Sequence, residues 1–302
     1  MRVGRIMAMV GTTLSLMTGP VMASAGLSSQ PAEHSSLQRI SVQVEGSGKD
    51  VVLIPGLASS RKVWDDLVPK LRQSYRLHLV ELAGFAGSPA VSETKGKVIA
   101  PAVEEIADYI HSQRIQAPVI IGHSLGGEAA LMLGARHPDQ VGRLLIVDAL
   151  PFYSLLVDPS ATTETATAPA AVMRDSLMAA SAEQNEAMQT ASIARLVKNE
   201  AFRPGLVADS IRSDRRTVAD AVYELMVTDL RPELSRITVP VEVVYAYDPM
   251  YGVPSSSVDA MFHQAYTSAR DIRLKRIDGS FHFVMLDQPE KFARTALTFL
   301  SK

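Results

Sequence analysis

The chain has 302 residues, of which 47% are hydrophobic, 21% charged and 6% aromatic, and it has no cysteine. Thirty Lys and Arg against 32 Asp and Glu leave a formal charge of −2, too balanced for a surface built to hold nucleic acid or an anionic membrane. Without thiols the chain cannot use disulfides, thiolate metal sites, a cysteine nucleophile or a lipid-modified N-terminal cysteine, so any nucleophile must be oxygen or nitrogen.

Arg2 and Arg5 lead an apolar stretch from Ile6 to Met22, and Ala23-Ser24-Ala25 offers a small-x-small cleavage site. Residues 1–25 are therefore predicted to be a removable Sec-type signal peptide. Thr12, Thr13, Ser15, Thr18, Gly19 and Pro20 make the stretch shorter and more polar than a spanning helix of about 20 apolar residues. The expected product is a periplasmic or secreted chain with no stable membrane insertion. Residues 26–36 read as a flexible polar lead-in.

From Leu37 the pattern becomes regular. Leu37 to Val44 alternates as an edge strand does. Val51 to Ile54, Tyr75 to Leu82, Val119 to Ile121, Leu144 to Val147, Val241 to Tyr245 and Ile272 to Ile277 are short apolar runs suited to buried parallel strands. Between them Val63 to Leu71, Pro101 to Ser112, Leu125 to Arg136, Val258 to Tyr266 and Pro289 to Leu300 have helical spacing. Alternation of this kind predicts an α/β fold with a doubly wound, mostly parallel sheet. It is interrupted once, over residues 152–236, which carry no convincing strand and are predicted to form a separate helical layer. Within that layer Ser160 to Ala171, rich in Ala, Thr and Pro, reads as a loop, and Val172 to Val197 and Thr217 to Val227 read as helices. The core then comprises residues 37–151 and 237–302.

Gly122-His123-Ser124-Leu125-Gly126 follows a strand and opens a helix of small residues. That setting places a serine on a tight turn at a helix N-terminus, where free amides favour an oxyanion. A capping serine flanked by glycines would leave the same string. Serine needs a base, and His282, in the loop between the last strand and the last helix, stands at the sheet edge where Ser124 is expected. His123, within the turn, is expected to face away from Ser124 and shape the elbow. An acid must orient the imidazole. Asp248, at the end of Val241 to Tyr247, fits the chain order Ser, Asp, His; Asp148, at the preceding strand end, is its rival. The oxyanion amides are expected from Leu125 and from Leu57, in the turn Pro55-Gly56-Leu57.

Leu53-Ile54-Pro55-Gly56-Leu57, Gly122 to Gly127, Asp248, and Phe281-His282-Phe283-Val284 with Gln288-Pro289-Glu290 together closely resemble the α/β-hydrolase family of serine hydrolases, over residues 37–302 apart from the insert. Glu81 to Ser88 looks like a degenerate form of the family's Asp-x-Pro-Gly-x-Gly-x-Ser loop, and Pro55 stands where the family usually has His. The resemblance implies a Ser-His-Asp triad, a helical cap inserted after the sixth strand, and two-step hydrolysis of a small-molecule carboxylic ester, with no cofactor and no metal. The cap residues Met173, Leu177, Met178, Met188, Leu196, Phe202 and Met226 are expected to line an apolar pocket, which favours an apolar acyl or aryl part. Lactonase, thioesterase, amide hydrolase and cofactor-free haloperoxidase or perhydrolase chemistry use the same triad, and a ligand-binding member without catalysis is a further alternative.

Overall fold

The computed structural model describes residues 38–302, so the expected signal peptide and the whole of the lead-in lie outside the described residues. Seven strands form one sheet: β1 (Ile40–Gly46), β2 (Lys49–Ile54), β3 (Tyr75–Leu82), β4 (Val119–His123), β5 (Arg143–Val147), β6 (Val241–Tyr247) and β7 (Ile272–Asp278). Their spatial order is β1-β3-β2-β4-β5-β6-β7. Within this sheet β1 pairs antiparallel with β3, and every other neighbouring pair is parallel. The helices are α1 (Val68–Leu71), α2 (Ile99–Ser112), α3 (Leu125–Arg136), α4 (Thr163–Ala179), α5 (Ala182–Leu196), α6 (Arg203–Arg212), α7 (Arg215–Val227), α8 (Ser255–Ala265), α9 (Val284–Asp287) and α10 (Pro289–Leu300).

The buried strands read as unbroken apolar runs because both faces are covered. Period-two alternation divides each run between two cores. Val52, Ile54, Ile120, Leu144 and Ile146 face the layer of α2, α3 and α8, while Val51, Leu53, Ile121, Leu145 and Val147 face the layer of α1, α9 and α10. On the second face Trp64 stacks on Phe292 with ring centroids 6.3 Å apart.

The insert leaves the sheet after β5 and returns at β6. Counted in this sheet it follows the fifth strand rather than the sixth, because a single antiparallel strand precedes β2. Of the stretch read as a loop from Ser160 to Ala171, everything from Thr163 onward is the first half of α4. Thr162 and Thr165 close a capping box there, each side chain meeting the other's backbone N–H. Pro169, a residue that argues for a break, sits inside α4 and forfeits one intrahelical bond. The expected helix Val172 to Val197 is interrupted at Ala180, where Ser181 and Gln184 cap α5 anew. α6 has no counterpart among the expected helices. Its Gly205 lies within the helix, and a β-carbon added to it would meet only open space. Gly205→Ala is therefore expected to raise stability by about 0.5 kcal/mol, read as a small upward shift in the denaturant midpoint.

The insert is tied to the core by a carboxylate used as a helix cap. Glu224 of α7 accepts from the backbone N–H groups of Val98, Ile99 and Ala100 at 2.5, 2.8 and 2.9 Å, satisfying donors that an α-helix start leaves free. Its neighbour Glu128, on α3, is fully buried, and neither of its oxygens has a hydrogen-bond partner among the described residues. Burial, reinforced by the charge of Glu224, pushes the Glu128 carboxyl well above the usual carboxylate range. The folded protein therefore keeps a proton that the unfolded chain releases above the ordinary glutamate value. Stability is lost as pH rises from about 4.5 towards the folded value. In Glu128→Gln that loss should vanish, so the thermal midpoint of the variant should gain on the wild type as pH rises above the ordinary glutamate value.

Candidate active site

Ser124 joins β4 to α3 with φ 54° and ψ −124°, a conformation costly for any residue with a side chain. Its amide is held by the Val147 carbonyl at 2.9 Å, and its own carbonyl accepts from Gly127 and Glu128. The glycines flanking the turn answer a steric demand. A methyl group on Gly122 would lie 2.5 Å from the Gly126 carbonyl carbon, and one on Gly126 would lie 2.5 Å from the Pro55 carbonyl oxygen. The strand-turn-helix elbow expected from the sequence is thus formed, with Ser124 at its apex and nearly buried.

The loop carrying His282 is built from both sides. Gly279, at φ 80°, donates its amide to the Tyr247 carbonyl at 2.8 Å. Asp287 accepts from the amides of Phe281, Lys198 and Asn199, and Phe283 donates to the Leu196 carbonyl at 3.1 Å. The insert therefore helps to hold the histidine loop. His123, completely buried, places Nε2 3.1 Å from the His282 carbonyl oxygen, with the two rings 4.6 Å apart. Burial, together with the nearby His282, pulls the His123 pKa well below the usual imidazole value, so it is neutral and braces the loop, in keeping with its expected role in shaping the elbow.

The carboxylate that meets His282 is Asp148. Its Oδ2 lies 2.7 Å from His282 Nδ1, and its Oδ1 accepts from the Ala246 amide at 2.8 Å. Asp148 has φ 46°, which turns its side chain across the edge of the sheet as the chain leaves β5. The expectation for Asp248 is corrected. Its Oδ2 is 2.5 Å from Lys198 Nζ and its Oδ1 accepts from the Met250 amide at 2.9 Å, so both oxygens are engaged away from the imidazole. The Lys198 hydrogen bond, outweighing partial desolvation, holds the Asp248 carboxyl below the usual carboxylate range. With Asp148 on Nδ1, the Nδ1–H donates to the carboxylate and Nε2 is left as the basic nitrogen.

Gly56 packs against the elbow: a methyl group there would stand 3.1 Å from Ser124 Cβ. The amides of Leu57 and Leu125 make no hydrogen bond among the described residues, leaving two donors beside the serine. Glu81, in place of the family's aspartate, accepts from Arg61 Nε at 2.7 Å and from the Ser88 hydroxyl at 2.9 Å, keeping the degenerate loop closed on itself. Ser124 Oγ and His282 are not hydrogen-bonded to each other. The polar neighbour of Oγ is the Tyr153 hydroxyl, at 3.5 Å. Tyr153 carries no signal of its own in the sequence, because it ends an apolar run, Ala149 to Tyr153, indistinguishable there from core.

A cavity of about 810 Å³ opens on this edge, with Asp148, Tyr153, Leu155, Val258, Phe262 and His282 among its walls. Of the insert residues expected to line it, Leu196 does so, whereas Met173, Met178 and Met188 lie on the outer surface. The cavity is walled largely by the first turns of the insert and by α8. No group of three or more His, Asp or Glu among the described residues is arranged to hold a metal ion.

A family model described as "Alpha/beta hydrolase family" matches residues 51–295. The chain is 29% identical over 265 residues to the pimeloyl-[acyl-carrier protein] methyl ester esterase of Aeromonas hydrophila subsp. hydrophila, covering 84% of this chain and 96% of that protein. Among solved structures it is similar to an esterase from Exiguobacterium antarcticum, with a TM-score of 0.71 at 20% identity over 87% of this chain and 96% of that one. An enol-lactonase from Burkholderia xenovorans LB400 superimposes with a TM-score of 0.70 at 18% identity, covering 87% and 96% of the two chains. At these identities the solved structures speak for the fold.

Proposed function

The chain belongs to the alpha/beta hydrolase family, and we propose that it is a serine carboxylesterase in which Ser124 is the nucleophile, His282 the base and Asp148 the orienting acid. The observation that carries this reading is the Asp148–His282 pair at 2.7 Å on the edge where the strained Ser124 turn sits beside two unengaged amides. An ester carbonyl seated between Ser124 and the amides of Leu57 and Leu125 would be attacked by Oγ as His282 Nε2 takes the proton. The same proton then goes to the leaving alcohol, and water repeats the cycle on the acyl-enzyme. Asp148 fixes the imidazole tautomer and steadies the imidazolium. The esterase relatives support an ester as the substrate, and the predominantly apolar cavity supports an apolar acyl or aryl part.

The reading is tested by offering p-nitrophenyl esters with acyl chains of two to sixteen carbons and by labelling with a fluorophosphonate. We expect stoichiometric labelling of Ser124 and turnover that peaks within the series and falls for chains too long for the cavity. Turnover of none of them by a protein whose Ser124 resists the label would sink the esterase reading and bring forward a ligand-binding role. We further propose that residues 1–25 export the chain. An N-terminus beginning at Gly26 in the periplasmic or culture fraction is the expected result, and an intact Met1 in the cytosol would count against it.

A further inference from the structure

We infer that the Tyr153 hydroxyl is a catalytic hydrogen-bond donor to Ser124 Oγ, acting when Oγ leaves the carbonyl carbon during deacylation. This rests on Ser124 being the nucleophile. Tyr153 follows β5 by a few residues and belongs to the first short turn of the insert, Tyr153–Leu156. Its ring is buried and forms part of the cavity wall, and its hydroxyl points at Ser124 Oγ from 3.5 Å. It has no other hydrogen-bond partner among the described residues. A buried hydroxyl normally finds a committed partner; here the single available partner is the reacting atom. Catalytic hydrogen bonds are commonly long in free enzymes and tighten on the reaction path.

Burial pushes the Tyr153 phenol well above its usual range, outweighing the opposing hydrogen bond to Ser124, and the Asp148 carboxylate adds to the effect, so the group is a donor at every working pH. Tyr266, whose hydroxyl donates to the Ala149 carbonyl at 2.7 Å, fixes the backbone just ahead of Tyr153 and so the angle at which the insert begins.

The step in which a donor to Oγ matters can be identified from the charges. In acylation Oγ starts as a hydroxyl and becomes an ester oxygen, and a hydrogen bond donated to it lowers its nucleophilicity as much as it steadies its charge. In deacylation water adds to the acyl carbon while His282 Nε2 takes its proton. The C–Oγ bond then breaks, the electron pair moves to Oγ, and His282 returns the proton to Oγ. Negative charge develops on Oγ before that proton arrives, and a neutral phenol donating to it stabilises it. Tyr153 keeps its own proton throughout.

The test is Tyr153→Phe, which retains the ring and its packing, assayed with a p-nitrophenyl ester for which deacylation limits turnover. We expect kcat and KM to fall together by about tenfold with kcat/KM held within about twofold. The burst of p-nitrophenol should approach one equivalent, and the acyl-Ser124 adduct seen by intact mass should decay about tenfold more slowly. A fall in kcat/KM at unchanged KM, or an unaltered rate of adduct decay in a variant with the wild-type thermal midpoint, overturns the inference. A variant that loses its fold is replaced by the wild type in deuterated water and by Tyr153→Leu with Tyr153→His, where rescue of adduct decay by the histidine donor is expected and its absence counts against the role. If the wild type forms no adduct on Ser124, the nucleophile assignment itself has failed, and this inference with it.

Discussion

In Ser124→Ala, kcat for ester hydrolysis should drop by about 10^6-fold, the loss that follows when the nucleophile of a three-residue unit is removed. Asp148→Asn should cost about 10^4-fold, because an amide facing His282 Nδ1 favours the wrong imidazole tautomer and offers no charge to the imidazolium. Asp248→Asn should stay within about tenfold, since Asp248 meets Lys198 and the Met250 amide rather than the imidazole. The comparison is made by steady-state kinetics on one short-chain ester, with all three variants shown to be folded. Collapse of the Asp248 variant with survival of the Asp148 variant would reverse the assignment of the acid.

The second large effect is on stability. Gly126→Ala places a methyl group 2.5 Å from the Pro55 carbonyl oxygen and closer still to that of Ile54. Both acceptors belong to the backbone at the end of β2, which is pinned on each side by the sheet, so neither can swing away as a flexible side chain would. Overpacking against fixed backbone should cost about 3 kcal/mol, or roughly 6–12 °C in thermal midpoint for a domain of this size. Activity should fall as well, because the displaced segment carries the Leu57 amide. A midpoint within about 2 °C of the wild type would mean that the elbow yields more readily than its geometry implies.

The parts of the site legible in the sequence are those fixed by local backbone demands. The run Val119 to Ile121, the glycines at 122 and 126, and the serine between them can be satisfied together by one turn, and that turn is formed. His282 is legible because one short loop separates the last strand from the last helix. The acid is not, because two strand ends each finish in aspartate. What separates them is the φ of 46° at Asp148 and the approach to Asp248 of Lys198, 50 residues distant in the chain. Neither feature leaves a trace in local pattern. The insert departs from expectation for the opposite reason. Local composition argues for a loop at Ser160 to Ala171, whereas the capping box at Thr162 and packing of α4 against α7 make it helix. Tertiary burial overrides a weak propensity there.

Asp148 follows the end of β5 directly and is also the residue from which the insert departs, with Tyr153 only a short step further on. For anyone grafting a different insert onto this scaffold, the two junctions are therefore unequal. An N-terminal splice upstream of Asp148 would exchange part of the proposed catalytic apparatus along with the insert, and a splice between Asp148 and Tyr153 would change the reach of the phenol. The donor segment should begin after Tyr153. At the far end the splice must also restore a cation opposite Asp248, or remove the carboxylate, since a transplanted insert without Lys198 would strand a buried negative charge at the tip of β6.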